Sequence, residues 1–424
     1  MSLAASGRDA EIAASAAIDK RPTSIESKAS WVVAGTVLGI MSLSFGAPLI
    51  AVVGLQPIAG ALGGERSVPA LAYSLAWLGT ALGGFAMGRV ADRFGARWTV
   101  MFGALMIGAG LVVSTLGGAI ALYVGHGLLI GLIGIAGINA PLYVYVSRWF
   151  DRRRGTALAL ISSGQYVAGV VWPAIFERGI AGLGWQQTMI LFAVLVVAIV
   201  VPVAGLILRA PPETAHLGPI ARGPVAGKPV LGLNANLVLG LLSAAGFACC
   251  VPMAIPQAHL VAFCGDLGIP PVRGALMLSL LLGSAFVSRQ VWGLISDRIG
   301  GLKTILAASA CQAAAMAAFL ATQDEVGLFI VSAAFGFGFS GLISAYVLAI
   351  RDLFPAAEAG SRIPTFFVFS GSGMAAGGWI AGVIYDRVGF YAPAFATGLA
   401  FNLLNLAIVG YLVARQREYR HRML

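Results

Sequence analysis

Residues 88–98 read GRVADRFGARW, and 205 residues later residues 293–303 read GLISDRIGGLK. Each copy sets a Gly, then Asp-Arg four residues on, then a second Gly followed by a basic residue, and each follows a long apolar stretch. A second echo joins RWFDRRRGTALALISSGQYVAGVVWPAIFERG (148–179) to RDLFPAAEAGSRIPTFFVFSGSGMAAGGWIAGVIYDRVG (351–389). Both run from a charged loop through Gly into an apolar stretch that ends at an acid–Arg pair, Glu177-Arg178 or Asp386-Arg387. A chain that repeats itself in this way is built from two related halves. Parallel repeats in a membrane imply a pseudo-two-fold axis along the membrane normal, with the ligand site near midplane between the halves.

The stretches between these loops fix the solvent as lipid. The chain is 59% hydrophobic and 10% charged, with mean hydropathy +0.90, whereas water-soluble domains carry about 25% charged residues. Apolar runs long enough to cross a bilayer occur at 31–55, 67–88, 98–117, 119–147, 155–177, 184–208, 234–263, 272–295, 303–322, 326–350, 363–385 and 388–413. Twelve spans predict an all-α integral membrane protein in two six-helix pseudo-repeats. Its parts are a cytoplasmic tail at 1–29, bundles at 30–209 and 233–415, a Pro/Gly-rich cytoplasmic linker at 210–232, and a basic tail at 416–424.

Charge gives the orientation. With both termini cytoplasmic, 22 of the 27 Lys and Arg residues fall on the cytoplasmic side and four, Arg66, Arg178, Arg273 and Arg387, fall opposite. That asymmetry follows the positive-inside rule. It also explains the net charge of +10 as attraction to anionic headgroups; no compact soluble domain carries it, so nucleic acid is excluded as a partner. The 1–29 segment lacks a signal peptide's charged start and short apolar core, and the bacterial inner membrane is the expected location.

The remaining cation is Arg289, within LLLGSAFVSRQVWGLISDRIG. A lone cation at depth costs about 2.5–3.5 kcal/mol on insertion scales, and its natural use is to bind an anion. Snorkelling or carbonyl bonding is the competing use.

The repeated loop resembles the signature loop of the major facilitator superfamily. Gly88, Asp92, Arg93, Gly95 and Arg97 match its first copy; Gly293, Asp297, Arg298 and Gly300 match its second, where Leu302 and Lys303 displace the last basic residue. The resemblance implies that these residues stabilise one of two alternating-access states. A narrower likeness is to the monocarboxylate transporter-like branch, which includes oxalate/formate exchangers. It rests on WF-D-RRRG (149–155), HLVAFCGDLGI (259–269) and Arg289, eight residues before Asp297. That branch pairs the eighth-helix arginine with a substrate carboxylate. The chain departs from it in three places. Leu49 replaces the first-helix lysine, Ala285 the acid one turn before the arginine, and 363–385 holds no cation. One cation suits one carboxylate, which favours a monoanion.

Other polar residues at depth are candidate substrate contacts: Asn139, Gln165, Tyr166, Tyr346, Tyr73 and His259. Each has an alternative role in bonding a neighbouring helix. With no intramembrane carboxylate, His259 and His126 are the candidate proton carriers. Coupling can also proceed with no protein group, on a weak acid's own proton or by counter-anion exchange. Gly131, Gly134 and Gly137, and Gly373, Gly377, Gly378 and Gly382, recur at about one-turn spacing. They permit close approach, either for sliding or for static packing. Phe335, Phe337 and Phe339 either narrow the cavity or fill the bundle.

Several functions are excluded. Cys249, Cys250, Cys264 and Cys311 form no metal-ligand spacing, and no nucleotide loop occurs, so no cofactor or metal is expected. Paired carboxylates and an activated nucleophile are missing at depth, which argues against an enzyme. The expected activity is secondary transport of a small organic anion, most simply a monocarboxylate, by proton symport or anion exchange. Efflux of a drug-like or apolar solute and a non-transporting receptor are the alternatives.

Overall fold

A computed structural model describes residues 26–208 and 230–423. The linker expected at 210–232 and the tail expected at 1–29 lie mostly outside these residues. Among these residues twelve helices are long and apolar enough to cross a membrane. In the first half they are α1 (Lys28–Val53), α2 (Ser67–Phe94), α3 (Ala96–Ser114), α4 (Gly118–Ser147), α5 (Arg154–Leu183) and α6 (Trp185–Ile207). In the second they are α7 (Ala235–Asp266), α8 (Pro271–Ile299), α9 (Gly301–Ala321), α10 (Glu325–Leu353), α11 (Arg362–Val388) and α12 (Ala392–Tyr419). The last helix continues to Met423, so the residues expected to form a basic tail are helical.

Tight antiparallel turns between α2 and α3, and between α8 and α9, are made by Gly95 at φ +85° and Gly300 at φ +80°. L side chains avoid that conformation, which is why both copies of the loop carry glycine there. Gly88 and Gly293 serve no close contact in this conformation, since a Cβ on either would meet nothing within 4 Å.

The fourth helix departs from the expected form. Val124–Ile135 is wound as a π-helix inside α4, a form otherwise found mostly as single-turn bulges. Its backbone lies directly on two neighbours. A Cβ on Gly83 of α2 would stand 2.0 Å from the Leu132 carbonyl oxygen, and one on Gly131 would stand 2.5 Å from that of Ala76. Gly134 and Gly137 press on Ile107 of α3 and Met87 of α2. The fourth-helix glycines therefore serve packing within the first half.

The halves meet along α2 with α11, α5 with α8, and α1 with α7. On the first seam Gly378 lies against Ser74 and Gly382 against Ser67, while Gly373 and Gly377 pack on α7 within their own half. The polar contacts joining the halves gather at one end of the bundle, the end opposite the signature loops. That end is called here the far face, and the loop-bearing end the basic face.

Candidate functional site

Arg289 lies on α8, ten residues before Ile299 at the basic face. It stands four residues past the helix midpoint at Ala285, nearer to the middle of the helix than to that face. Its direction is set by its neighbours. Ser288 donates to the Phe337 carbonyl at 2.7 Å, and the Trp292 indole N–H donates to the same oxygen at 2.8 Å. Ser288 also bonds Ser340 at 2.6 Å. Phe337 can accept twice because α10 is interrupted: its two helical pieces are Glu325–Phe339 and Leu342–Leu353. A Cβ on Gly341, at that break, would stand 2.3 Å from the Trp292 Cβ. These bonds fix the rotation of α8 and leave Arg289 on the adjoining face.

There its contacts are neutral and come from both halves. Nη2 donates to the Ser344 hydroxyl of α10 at 3.3 Å. The guanidinium carbon stands 5.5 Å from the centroid of the Tyr166 ring of α5, within cation–π range. Tyr143 of α4 feels the Arg289 charge and reaches the Ser162 hydroxyl. Asn139 lies one turn before Tyr143 and so shares its face of α4. The half-buried amides of Asn139 and Gln165 make no hydrogen bond among the described residues. Arg289, Tyr166, Tyr143 and Ser344 thus form one cluster across the two halves, and Asn139, one turn from Tyr143, has unused amide capacity. An unpaired guanidinium ringed by neutral groups can take a carboxylate through two parallel bonds. Tyr143 and Ser344 escape the sequence reading. The signal that finds Tyr143 is its i, i+4 spacing from Asn139.

Three other candidates lie elsewhere. Tyr346 is 0% exposed and donates to Asn405 Oδ1 at 2.5 Å. Asn405 donates to Ser309, Ser309 to Asn402, Asn402 to Gln312, and Gln312 to the Cys249 carbonyl. This chain of bonds ties α7, α9, α10 and α12 together inside the second half, and it leaves the Tyr346 hydroxyl no solute to meet. Phe335 and Phe339 are likewise buried in the bundle, whereas Phe337 is exposed. Tyr73, also buried, lies on the α2–α11 seam near Gly378.

His259 belongs to the far face. Its Nε2 donates to the Gly378 carbonyl at 2.8 Å, and its Nδ1 pairs with the Tyr391 hydroxyl at 3.0 Å. Tyr391 also accepts from Arg66 at 3.1 Å. Arg66 binds both oxygens of Asp266, at 2.6 and 2.5 Å, and its guanidinium carbon stands 3.7 Å from the centroid of the Tyr385 ring. Asp386 accepts from the backbone N–H groups of Arg66 and Ser67 at 2.7 and 2.9 Å, so it caps α2 with an acid from the other half. Gln56 bonds Asp266 and the Ala262 carbonyl. Burial works against the Arg66 charge, but the bonds to Asp266 and Tyr391 outweigh it and raise the arginine above its usual range. Burial also raises the Tyr391 phenol. His126 is buried between α3 and α4, with Nδ1 2.9 Å from the Ser114 hydroxyl. Neither histidine is joined by a hydrogen bond to the Arg289 cluster.

Both signature loops lie at the basic face. The Arg93 and Arg97 guanidinium carbons stand 5.4 and 5.5 Å from the ring centroids of Phe94 and Trp98. Among the described residues no group of His, Cys, Asp and Glu could hold a metal ion.

The family model described as Major Facilitator Superfamily matches residues 32–324 and 265–422. "MFS-type transporter 1" of an Ophiocordyceps species is 24% identical over 283 residues, covering 66% of this chain and 61% of that protein. Monocarboxylate transporter 13 of Bos taurus is 24% identical over 328 residues, covering 76% of this chain and 74% of its own length. Among solved structures, a bacterial homologue of the human lysosomal transporter Spinster, inward-facing and unoccupied, superposes with TM-score 0.67 at 16% identity, over 93% of this chain and 97% of that one.

Proposed function

We propose that this chain, which belongs to the major facilitator superfamily of membrane transporters, carries a small organic monoanion whose carboxylate pairs with Arg289. The observation that carries the reading is the setting of that cation. It is held at depth at a cost of about 2.5–3.5 kcal/mol, and its neighbours, Ser344 and Tyr166, are uncharged and come from different halves. A group placed there touches both halves at once and can bias their relative position, which is what coupling to alternating access requires. The likeness to a protein named a monocarboxylate transporter supports the same substrate class.

In this reading the basic face is cytoplasmic, both termini lie on that side, and the host is a bacterial inner membrane. Residues 30–209 rock against 233–415. The far-face bonds of Arg66, Asp266 and Asp386 close the outer route, and the Arg289 cluster is reached from the cytoplasm. Asn139, Gln165, Tyr143 and Tyr166 shape the remainder of the pocket. His259 locks the outer closure, so the coupling proton travels on the acid itself or the carrier exchanges one anion for another.

The test is uptake of labelled lactate, pyruvate, formate, glycolate and oxalate into proteoliposomes by wild type and by Arg289→Gln. Saturable uptake of a monocarboxylate, lost in the variant, is expected. Unchanged uptake in the variant refutes the site. No uptake of any acid by wild type shifts the reading to export of an uncharged solute.

A further inference from the structure

Ser74 and Trp77 lie one turn apart on α2, on the seam that joins the two halves. Ser74 is 1% exposed. Its hydroxyl is buried without a hydrogen-bond partner, and the Trp77 indole N–H, buried beside the Tyr73 hydroxyl, makes no well-formed hydrogen bond. The Trp77 ring packs edge-on to Tyr73, at 6.4 Å between centroids, and against Phe45 of α1 at 6.1 Å. Facing Ser74 is bare backbone: a Cβ on Gly378 of α11 would stand 2.8 Å from the Ser74 hydroxyl oxygen. The closed seam thus shuts the Ser74 hydroxyl against a glycine, while the Trp77 indole one turn on is enclosed by Tyr73 and Phe45.

Buried polar groups are nearly always paired, and an orphan calls for a reason. Alanine and phenylalanine at these positions would close the seam without that penalty. A reason for keeping the polar groups lies in the other conformation, in which the seam parts at the far face and both groups meet the outer vestibule.

The chemistry of the pair names the ligand. An indole N–H only donates, and a serine hydroxyl can donate. Acids are scarce along the seam: α2 holds only Asp92, at the basic face, and residues 362–388 hold only Asp386, two turns beyond Gly378. Two donors one turn apart on the same helix, an aromatic wall and no nearby carboxylate suit an anion.

We infer that Ser74 and Trp77 form an outer subsite for the transported anion, open only when the far face is open, at which the carboxylate docks before it reaches Arg289. The inference rests on the anion-carrier reading above. It makes the two residues specificity-determining contacts on one side of the membrane only, whereas Arg289 serves both sides.

The test uses proteoliposomes with the protein in one insertion orientation and the same labelled acids. KM is measured from the far face and from the basic face, for wild type, Ser74→Ala, Trp77→Phe and the double variant. The double variant is expected to raise the far-face KM about ten-fold, beyond the roughly five-fold rise that a shift toward the closed state alone would give, and to leave the basic-face KM unchanged or slightly lower, which also shows that it is folded. An unchanged far-face KM, or equal rises on both faces, overturns the subsite. A wild type that carries no acid overturns the anion-carrier reading itself, a result distinct from either. A second readout needs no substrate. In a Cys311→Ser background, Ser67→Cys is labelled from the far face with an impermeant maleimide. Removing the orphaned groups relieves the closed seam, so labelling is expected to fall about five-fold in the double variant. Unchanged labelling overturns the argument from the orphaned donors.

Discussion

Two polar clusters lie inside the apolar bundle, and they are built on opposite plans. From Tyr346 to Gln312, each side chain hands its hydrogen bond to the next until the run ends on a backbone carbonyl, all within one half. Around Arg289 a full charge meets a hydroxyl and a ring face from different halves and no acid among the described residues. A closed polar network in a low-dielectric interior fixes one arrangement of helices. A cluster with spare capacity at a boundary that moves is ready for a ligand. In the proposed function the contrast separates a polar residue that holds the protein together from one that binds the solute, although the two look alike in a list of buried groups.

The comparison breaks most readily at Arg289. Arg289→Gln is expected to lower kcat/KM for the transported acid about 100-fold, the effect of leaving a carboxylate without its charged partner at about 3 kcal/mol. Melting in detergent should change little, because no network closes through Arg289. The opposite pattern is expected at Tyr346. Phenylalanine there leaves Asn405 Oδ1 without its donor and should destabilise the second half by about 2 kcal/mol, read as a fall in Tm, with KM unchanged. A KM effect at Tyr346 or a large Tm effect at Arg289 would erase the distinction. Asp266→Asn removes the far-face ion pair, which is partly exposed and worth about 1 kcal/mol. It should increase labelling of Ser67→Cys from the far face about five-fold without changing KM at the basic face. The smallest effect is expected from Tyr166→Phe. The ring face that meets the guanidinium is retained, so KM should move by less than about two-fold, while Tyr166→Ala should do more.

The sequence is legible where physics acts along the chain. Span length, charge alternation and the two Gly95- and Gly300-bearing loops predict twelve helices, and twelve are found. Arg289 is legible because one cation among apolar residues needs no partner to be conspicuous. Tyr346 misleads because its partners lie far along the chain, on α9 and α12, and a hydroxyl at depth looks free until the helices are assembled. His259 misleads for the same reason: its partners Gly378 and Tyr391 are brought to it by α11 and the turn before α12. The π-wound stretch of α4 leaves no periodic trace, because a run such as VGHGLLIGLIGI is apolar on every face.

The α5–α8 seam carries one more consequence. A Cβ on Gly169 would stand 2.1 Å from a methyl of Leu282, so at that point the seam between the halves is a leucine side chain pressed on bare backbone. A carrier stores its driving force in a gradient, and any slit wide enough for water or a small ion would drain it between turnovers. The missing methyl at position 169 lets the insulation close completely. Its effect would be read in the idle state, as electrical leak with no substrate present, and not in how tightly the cargo is held.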